Sequence, residues 1–174
     1  MEDRKRLEQL VGYPVRGFSY PNGSYNDRLL ELLPMLGIEY GRVVASSGQF
    51  HMPNNWYQWM PTCHHREKLQ ELGEQFIQLY KSQYLYLMYV WGHSYEFEQQ
   101  NNWHIIEQFC ELVGKREDIW YATNIEIRDY VKRFELLQFS ASGEWVYNPF
   151  AASVWLLADN ELIEAKGGEI THLI

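Results

Sequence analysis

The stretch Tyr84-Leu-Tyr-Leu-Met-Tyr-Val-Trp-Gly-His93 decides the fold. A run from Tyr84 to Val90 with no charge is too apolar for a strand with one wet face, so it reads as a strand of a parallel sheet buried on both faces. Gly92 then clears space beside His93, and a histidine leaving such a strand faces a pocket. A second loop has the same form: Phe18-Ser-Tyr-Pro-Asn-Gly23 follows the strand-like Tyr13-Pro-Val. Pro21 fixes its own φ and Gly23 permits a sharp turn, a bend able to aim backbone N–H groups at a ligand. The two loops read as halves of one active site.

Outward from these loops the chain alternates short apolar strands with amphipathic helices, the signature of a parallel βα architecture. Glu2–Val11 reads as a charged helix with Leu7, Leu10 and Val11 on one face, ended by Gly12. Ser24 or Asn26 caps a helix through Met35 that Pro34 limits and Gly37 closes, and 38–44 follows as a strand. Residues 45–58 form a loop long enough to be a lid or substrate-binding element, with Phe50, His51, Trp56 and Tyr57 able to contact sugar. The strand 59–63 precedes His64-His65 and a helix over 66–81 with Leu69, Leu72, Phe76, Ile77 and Tyr80 inward. After the His93 loop, a helix starts near Asn101 or Asn102 and stops at Gly114, followed by a strand at 119–122 and an Asn124-capped helix. From Leu136 onward the texture changes to hairpins around Ser142-Gly143, Asp159-Asn160 and Gly167-Gly168, a small antiparallel appendage. Its Trp145, Tyr147 and Trp155 either extend a sugar-binding surface or pack.

Phe18-Ser-Tyr-Pro-Asn-Gly-Ser-Tyr25, Trp91-Gly-His-Ser-Tyr-Glu-Phe97 and Ile119-Trp-Tyr-Ala-Thr-Asn124 together resemble the polysaccharide deacetylases of the NodB-homology group, carbohydrate esterase family 4. The resemblance spans residues 1–135 and implies an α/β fold, a partial (β/α) barrel, with residues 136–174 as the β-hairpin appendage. It implies removal of acetyl groups from carbohydrate amides or esters with a divalent metal, commonly zinc. The family's Asp-Asp pair and His-x-x-x-His, which supply base and metal ligands, are missing: the aspartates at 3, 27, 118, 129 and 159 are isolated, and no two histidines lie four apart. No metal is therefore expected from this chain alone, and the isolated chain is expected to be inactive. The chain reads as a deacetylase lacking its first strands, since such a barrel normally needs ~200 or more residues. An open sheet edge would follow, and a homo-oligomer is expected to cover it.

Carried over by resemblance, His93 is the general acid, since an imidazole can deliver a proton near neutral pH, and the backbone N–H of Asn22 is the oxyanion donor. Tyr20, Pro21, Trp91 and Tyr95 shape the substrate site. Ser19 departs from the arginine that many members use to hold the base, and Arg16 cannot replace it because positions 16 and 19 face opposite sides of a strand. Glu96 or Glu98 either orients His93 or is a solvated acid. Cys63, His64 and His65 suggest zinc, but neighbours in an extended segment point oppositely, so at most one of the two histidines shares a site with His93. The competing class is a non-catalytic carbohydrate-binding or assembly protein.

The composition, 46% hydrophobic and 16% aromatic over 174 residues, is that of a folded domain, and the aromatic excess suits stacking on sugar C–H faces as well as core packing. A net charge of −8 argues against a nucleic-acid partner. Cys63 and Cys110 read as reduced thiols, and no run approaches ~18 apolar residues, so no membrane-spanning helix is expected. With no leader visible, cytoplasmic location is the default expectation.

Overall fold

A computed structural model describes residues 2–80 and 84–173. It divides into two compact units, residues up to Tyr121 and from Ala122 onward.

The first unit is built on parallel strand pairs. β1 (Gly17–Ser19) and β2 (Tyr40–Arg42) run parallel with Ser19 opposite Arg42, connected through α2 (Asp27–Met35). Asn26 caps α2 by accepting from the Leu29 N–H at 2.9 Å, as expected for a short polar residue before an apolar run. β3 (Cys63–His64) and β4 (Val90–Trp91) form a second parallel pair with His64 opposite Trp91, joined through α3 (Leu69–Gln78). The segment between β2 and β3 ties the pairs together. Trp59 bridges Arg42 in parallel and bonds Gly41 and Val43, while Thr62 and His65 donate to Tyr89 and Trp91. The strand segments therefore lie side by side in chain order, and no barrel closes among the described residues.

Two small cores support this arc. Tyr20, Leu33, Ile38 and Val43 pack under α2, and Cys63, Leu69, Leu72 and Phe109 pack between α3 and α5 (His104–Val113). Between them stands Trp59, 1% exposed, met edge-on by Tyr40, Trp56 and Tyr89. Burying that indole among rings contributes several kcal/mol by area alone, on the order of 3.

Several sequence expectations change here. Of the apolar run 84–90, only Val90 enters a ladder. Leu87 donates to the Phe50 carbonyl and Tyr86 bridges His51 antiparallel, so the run is drawn to that loop, and Leu85 stays 46% exposed. Residues 119–122 form no strand, and Trp120 and Tyr121 are exposed. The helix expected from 66 begins at Leu69, because Lys68 takes a left-handed conformation, and Tyr80 beyond its end is exposed rather than inward. Lys81, its expected last residue, lies outside the described residues. An unforeseen helix, α4 (Ser94–Gln100), follows His93, and Leu7, Leu10 and Val11 of α1 (Glu2–Val11) are exposed. No described helix is long and apolar enough to cross a membrane.

The second unit is α6 (Asn124–Glu135) with an antiparallel β part, so α6, expected with the barrel residues before 136, belongs to the unit that holds the appendage. β5 (Gln138–Phe139) pairs with β6 (Trp145–Tyr147) and β6 with β9 (Ile170–His172), while β7 (Val154–Ala158) and β8 (Glu161–Ala165) form a hairpin. Asp159 and Asn160, both at positive φ, turn that hairpin as two-residue loops require. Leu137, Val146, Val154, Leu156 and Ala165 form its core, with Tyr130 of α6 against it.

Thr123, not Asn124, caps α6. Its hydroxyl faces the Glu126 N–H and the Glu126 carboxylate accepts from the Thr123 N–H at 2.7 Å, a capping box. Hydrogen bonds from the Thr123 hydroxyl and backbone hold the Glu126 carboxyl below its usual range. The stability it adds is therefore present above the unfolded-state value and is lost as pH falls through the lower folded one. Thr123→Ala is expected to cost about 1 kcal/mol at neutral pH, with the difference from wild type shrinking in acid; urea unfolding at pH 7 and pH 3 checks both parts.

Candidate functional site

β3 delivers two histidines to one place because the chain kinks directly after it. The His64 carbonyl accepts from Glu67 N–H at 2.8 Å, and the Glu67 carboxylate accepts from His64 N–H at 2.9 Å. This turn breaks the strand alternation, so the His64 and His65 rings lie 4.3 Å apart, tilted by 34°, instead of on opposite faces. The expectation that at most one of the pair could share a site therefore fails.

Both point at Glu96, in the first turn of α4. Its Oε2 lies 2.5 Å from His65 Nε2 and 3.2 Å from His64 Nε2, and its Oε1 lies 3.0 Å from the Arg66 guanidinium and 3.7 Å from His93 Nδ1. Glu96 is buried, so it is not a solvated acid, whereas Glu98 accepts from the Trp103 indole. Burial by itself would raise the Glu96 carboxyl. The hydrogen bond from His65 and the charges of Arg66 and His64 outweigh it and hold the group below the usual carboxylate range. Burial and the neighbouring His65 hold His64 below its ordinary value, against the pull of Glu96.

Gly92 makes the arrangement possible. With φ at +154°, a Cβ there would sit 1.9 Å from His65 Cδ2. The sequence reading gave this glycine to His93; the structure gives it to His65. The Phe97 ring packs on His65 with centroids 4.2 Å apart.

Trp91 joins this cluster to the first loop. Its ring meets His64 edge-on at 4.6 Å and carries the Arg42 guanidinium at 4.3 Å. Arg42 Nε donates to Ser19 Oγ at 3.0 Å. Arginine and serine thus meet across β1 and β2, opposite each other in register, a juxtaposition invisible before the strand pairing is known. Beyond Ser19, Tyr20-Pro-Asn-Gly23 makes a single 3₁₀ turn in which Asn22 has φ 55° and ψ 15°. Gly23 N–H and Ser24 N–H bond back to Tyr20 and Pro21, while the N–H of Asn22 has no acceptor among the described residues.

The expected site residues divide in two. His93, its side chain 51% exposed, stacks on Tyr95 at 5.1 Å and lies 6.1 Å from Trp91. Pro21 and Asn22 stand exposed on the first loop. Tyr20, in contrast, is 3% exposed, and its hydroxyl donates to the Tyr57 carbonyl at 2.7 Å, so it is core beneath the loop. In the 45–58 loop, Phe50 packs on Phe76 and Trp56 on Trp59, and His51 alone of the four aromatic candidates lines an open cleft. That cleft, about 640 Å³, is bordered by Tyr25, Gln49, Asn54, Asn55, Gln58 and Met60 among others.

A divalent metal does not fit the His64, His65 and Glu96 atoms as they stand, although all lie within 4.8 Å of one another. His64 Nδ1 accepts from the Arg66 N–H at 3.2 Å, so the ring proton sits on Nε2, the atom that would have to ligate. The 2.5 Å separation of His65 from Glu96 is a hydrogen-bond length, shorter than the roughly 3.3 Å that two ligands of a tetrahedral zinc keep. Arg66 already neutralises the carboxylate. Cys63 is buried and is not among the residues whose ligand atoms converge here. The arrangement is a hydrogen-bonded cluster with two imidazole N–H groups and one guanidinium on a single carboxylate.

Comparisons with protein-family models, with curated proteins and with solved structures find no match. The site is therefore read from its own chemistry.

Proposed function

We propose that this chain carries the acid and oxyanion-donor side of a carbohydrate deacetylase-type hydrolase, with a partial (β/α) barrel as its scaffold. The observation that supports this most is His93. It leaves the C-terminal end of a parallel strand, where ligands of open α/β sheets bind, with Nδ1 turned to the buried Glu96 carboxylate and the ring half open to solvent. A half-exposed imidazole at that place can hand a proton to a departing amine or alkoxide. The Asn22 N–H supplies a donor for a developing oxyanion. Trp91 and Tyr95 offer ring surface for a sugar. The metal of such an enzyme would need ligands other than these residues, and no step is assigned to it. Self-association over the outer edges of β1 and β4 belongs to the same proposal.

The amide-lined cleft beside Tyr25 and His51 favours a second reading, a carbohydrate-binding protein without turnover. Acetylated chito-oligosaccharide separates the two. Binding by the chain, and acetate release once the metal ligands are present that falls ~10²–10⁴-fold in His93→Ala, is the result expected of the hydrolase. Binding with no release under any metal condition supports the second reading. Neither binding nor release overturns both.

A further inference from the structure

We propose that the Arg42 guanidinium is a binding site for a small carboxylate. Arg4, Arg16, Arg66 and Arg116 each end on a glutamate or aspartate. Arg42 does not. Its Nε is spent on the Ser19 hydroxyl, one face is spent on the Trp91 ring, and the other polar contact is a marginal 3.5 Å approach of Nη1 to its neighbour's Val43 carbonyl. The side chain is only partly exposed, and it meets no carboxylate among the described residues. Arg133, whose Nε is buried with no acceptor among the described residues, shows that a missing carboxylate does not by itself single out Arg42; its seat on the Trp91 indole beside Ser19 does.

The setting is that of a receptor. Ser19, Arg42 and Trp91 are the last residues of three parallel strands, β1, β2 and β4. Residues fixed by strand pairing hold the guanidinium more rigidly than loop residues would. With Nε on Ser19, what stacking on the indole leaves for a ligand is the Nη1–Nη2 end of the fork, which can meet a carboxylate in two parallel hydrogen bonds. The net charge of −8 repels anions in general, so capture must be local and must need the fork geometry rather than charge alone.

The carboxylate has two sources. One is acetate, the product of the reaction proposed above, and that assignment rests on the deacetylase reading. The other is a uronate group on the sugar itself. Acetate, glucuronate and neutral glucose are titrated separately at constant ionic strength, with the Arg42 Nε–H proton resonance as the readout and its disappearance in Arg42→Lys as the assignment. Saturable shifts with roughly millimolar midpoints for a carboxylate, absent for glucose, are expected. Acetate and glucuronate binding alike marks the shared group alone as recognised, and tighter glucuronate binding marks the sugar acid as the ligand. Ser19→Ala, which frees Nε without removing the cation, should weaken the midpoint about three- to fivefold. The proposal is overturned if no carboxylate shifts the resonance, or if Arg42→Gln, still folded by circular dichroism, binds acetate or glucuronate as wild type does when both are titrated by backbone amide shifts. Because no turnover is read, failure here leaves the His93 experiment untouched, and loss of turnover there leaves this site standing.

Discussion

Gly92→Ala is expected to destabilise the chain by roughly 2–5 kcal/mol, combining overpacking of a tight site with backbone strain at a position few side chains adopt. The added methyl would lie 1.9 Å from His65 Cδ2 and 2.8 Å from His65 Nε2, at a φ of +154°. His65 has little room to retreat, because the Phe97 and His64 rings pack against it and its Nε2 is bonded to Glu96. The ring must leave Glu96 or the backbone between Trp91 and His93 must shift. Either outcome also moves His93, so binding of acetylated sugar should weaken together with stability. Urea unfolding followed by near-ultraviolet circular dichroism measures the first effect. A midpoint matching wild type would mean that the glycine is not what shapes this site.

Trp59→Ala should be the most damaging substitution in the first unit, at about 3–5 kcal/mol, because a large cavity opens where three other rings pack. Tyr40, Trp56 and Tyr89 lose a shared neighbour, with centroids at 5.6, 5.0 and 5.0 Å. The backbone of Trp59 is also the link between β2 and the strand that carries His64. Trp59→Phe discriminates packing from hydrogen bonding. The indole N–H is buried with no acceptor among the described residues, so removing it while keeping a ring should cost less than ~1.5 kcal/mol. If Phe proves as costly as Ala, an acceptor for that N–H is implied and the packing account fails.

The arginine at 42 shows why part of the site was hidden. Nothing in the order of residues joins Ser19 to Arg42. Only the parallel register between β1 and β2 sets them opposite each other. The resemblance singled out Ser19 for its missing arginine, and the structure finds a guanidinium on that serine from the next strand. Glu96 was half legible. On sequence it was one of two acids, with Glu98, that either orient His93 or are solvated, and its burial beneath two imidazoles and a guanidinium is what separates it from Glu98. A usable signal was present: the Glu lies three residues after His93, the spacing that sets two residues on one face of a helix, but the helix Ser94–Gln100 was not anticipated.

Local rules determined what local chemistry controls. The alternation of strands and helices, the Asn26 cap, the Gly12 stop, the tight turn at Pro21-Asn-Gly23 and the hairpins at Ser142-Gly143 and Asp159-Asn160 were legible in the sequence, because each depends on a few neighbouring residues. The hairpin expected at Gly167-Gly168 does not form, since β9 pairs with the distant β6 and not with β8. Tertiary structure alone decided which of those residues meet. It drew the apolar run 84–90 toward Phe50 and His51, buried Tyr20 that looked like a pocket wall, and set the Glu96 carboxylate against the His64 and His65 rings. These outcomes depend on long-range pairing and burial, whose free energies are settled by partners far away in the chain, and no local window of residues contains them.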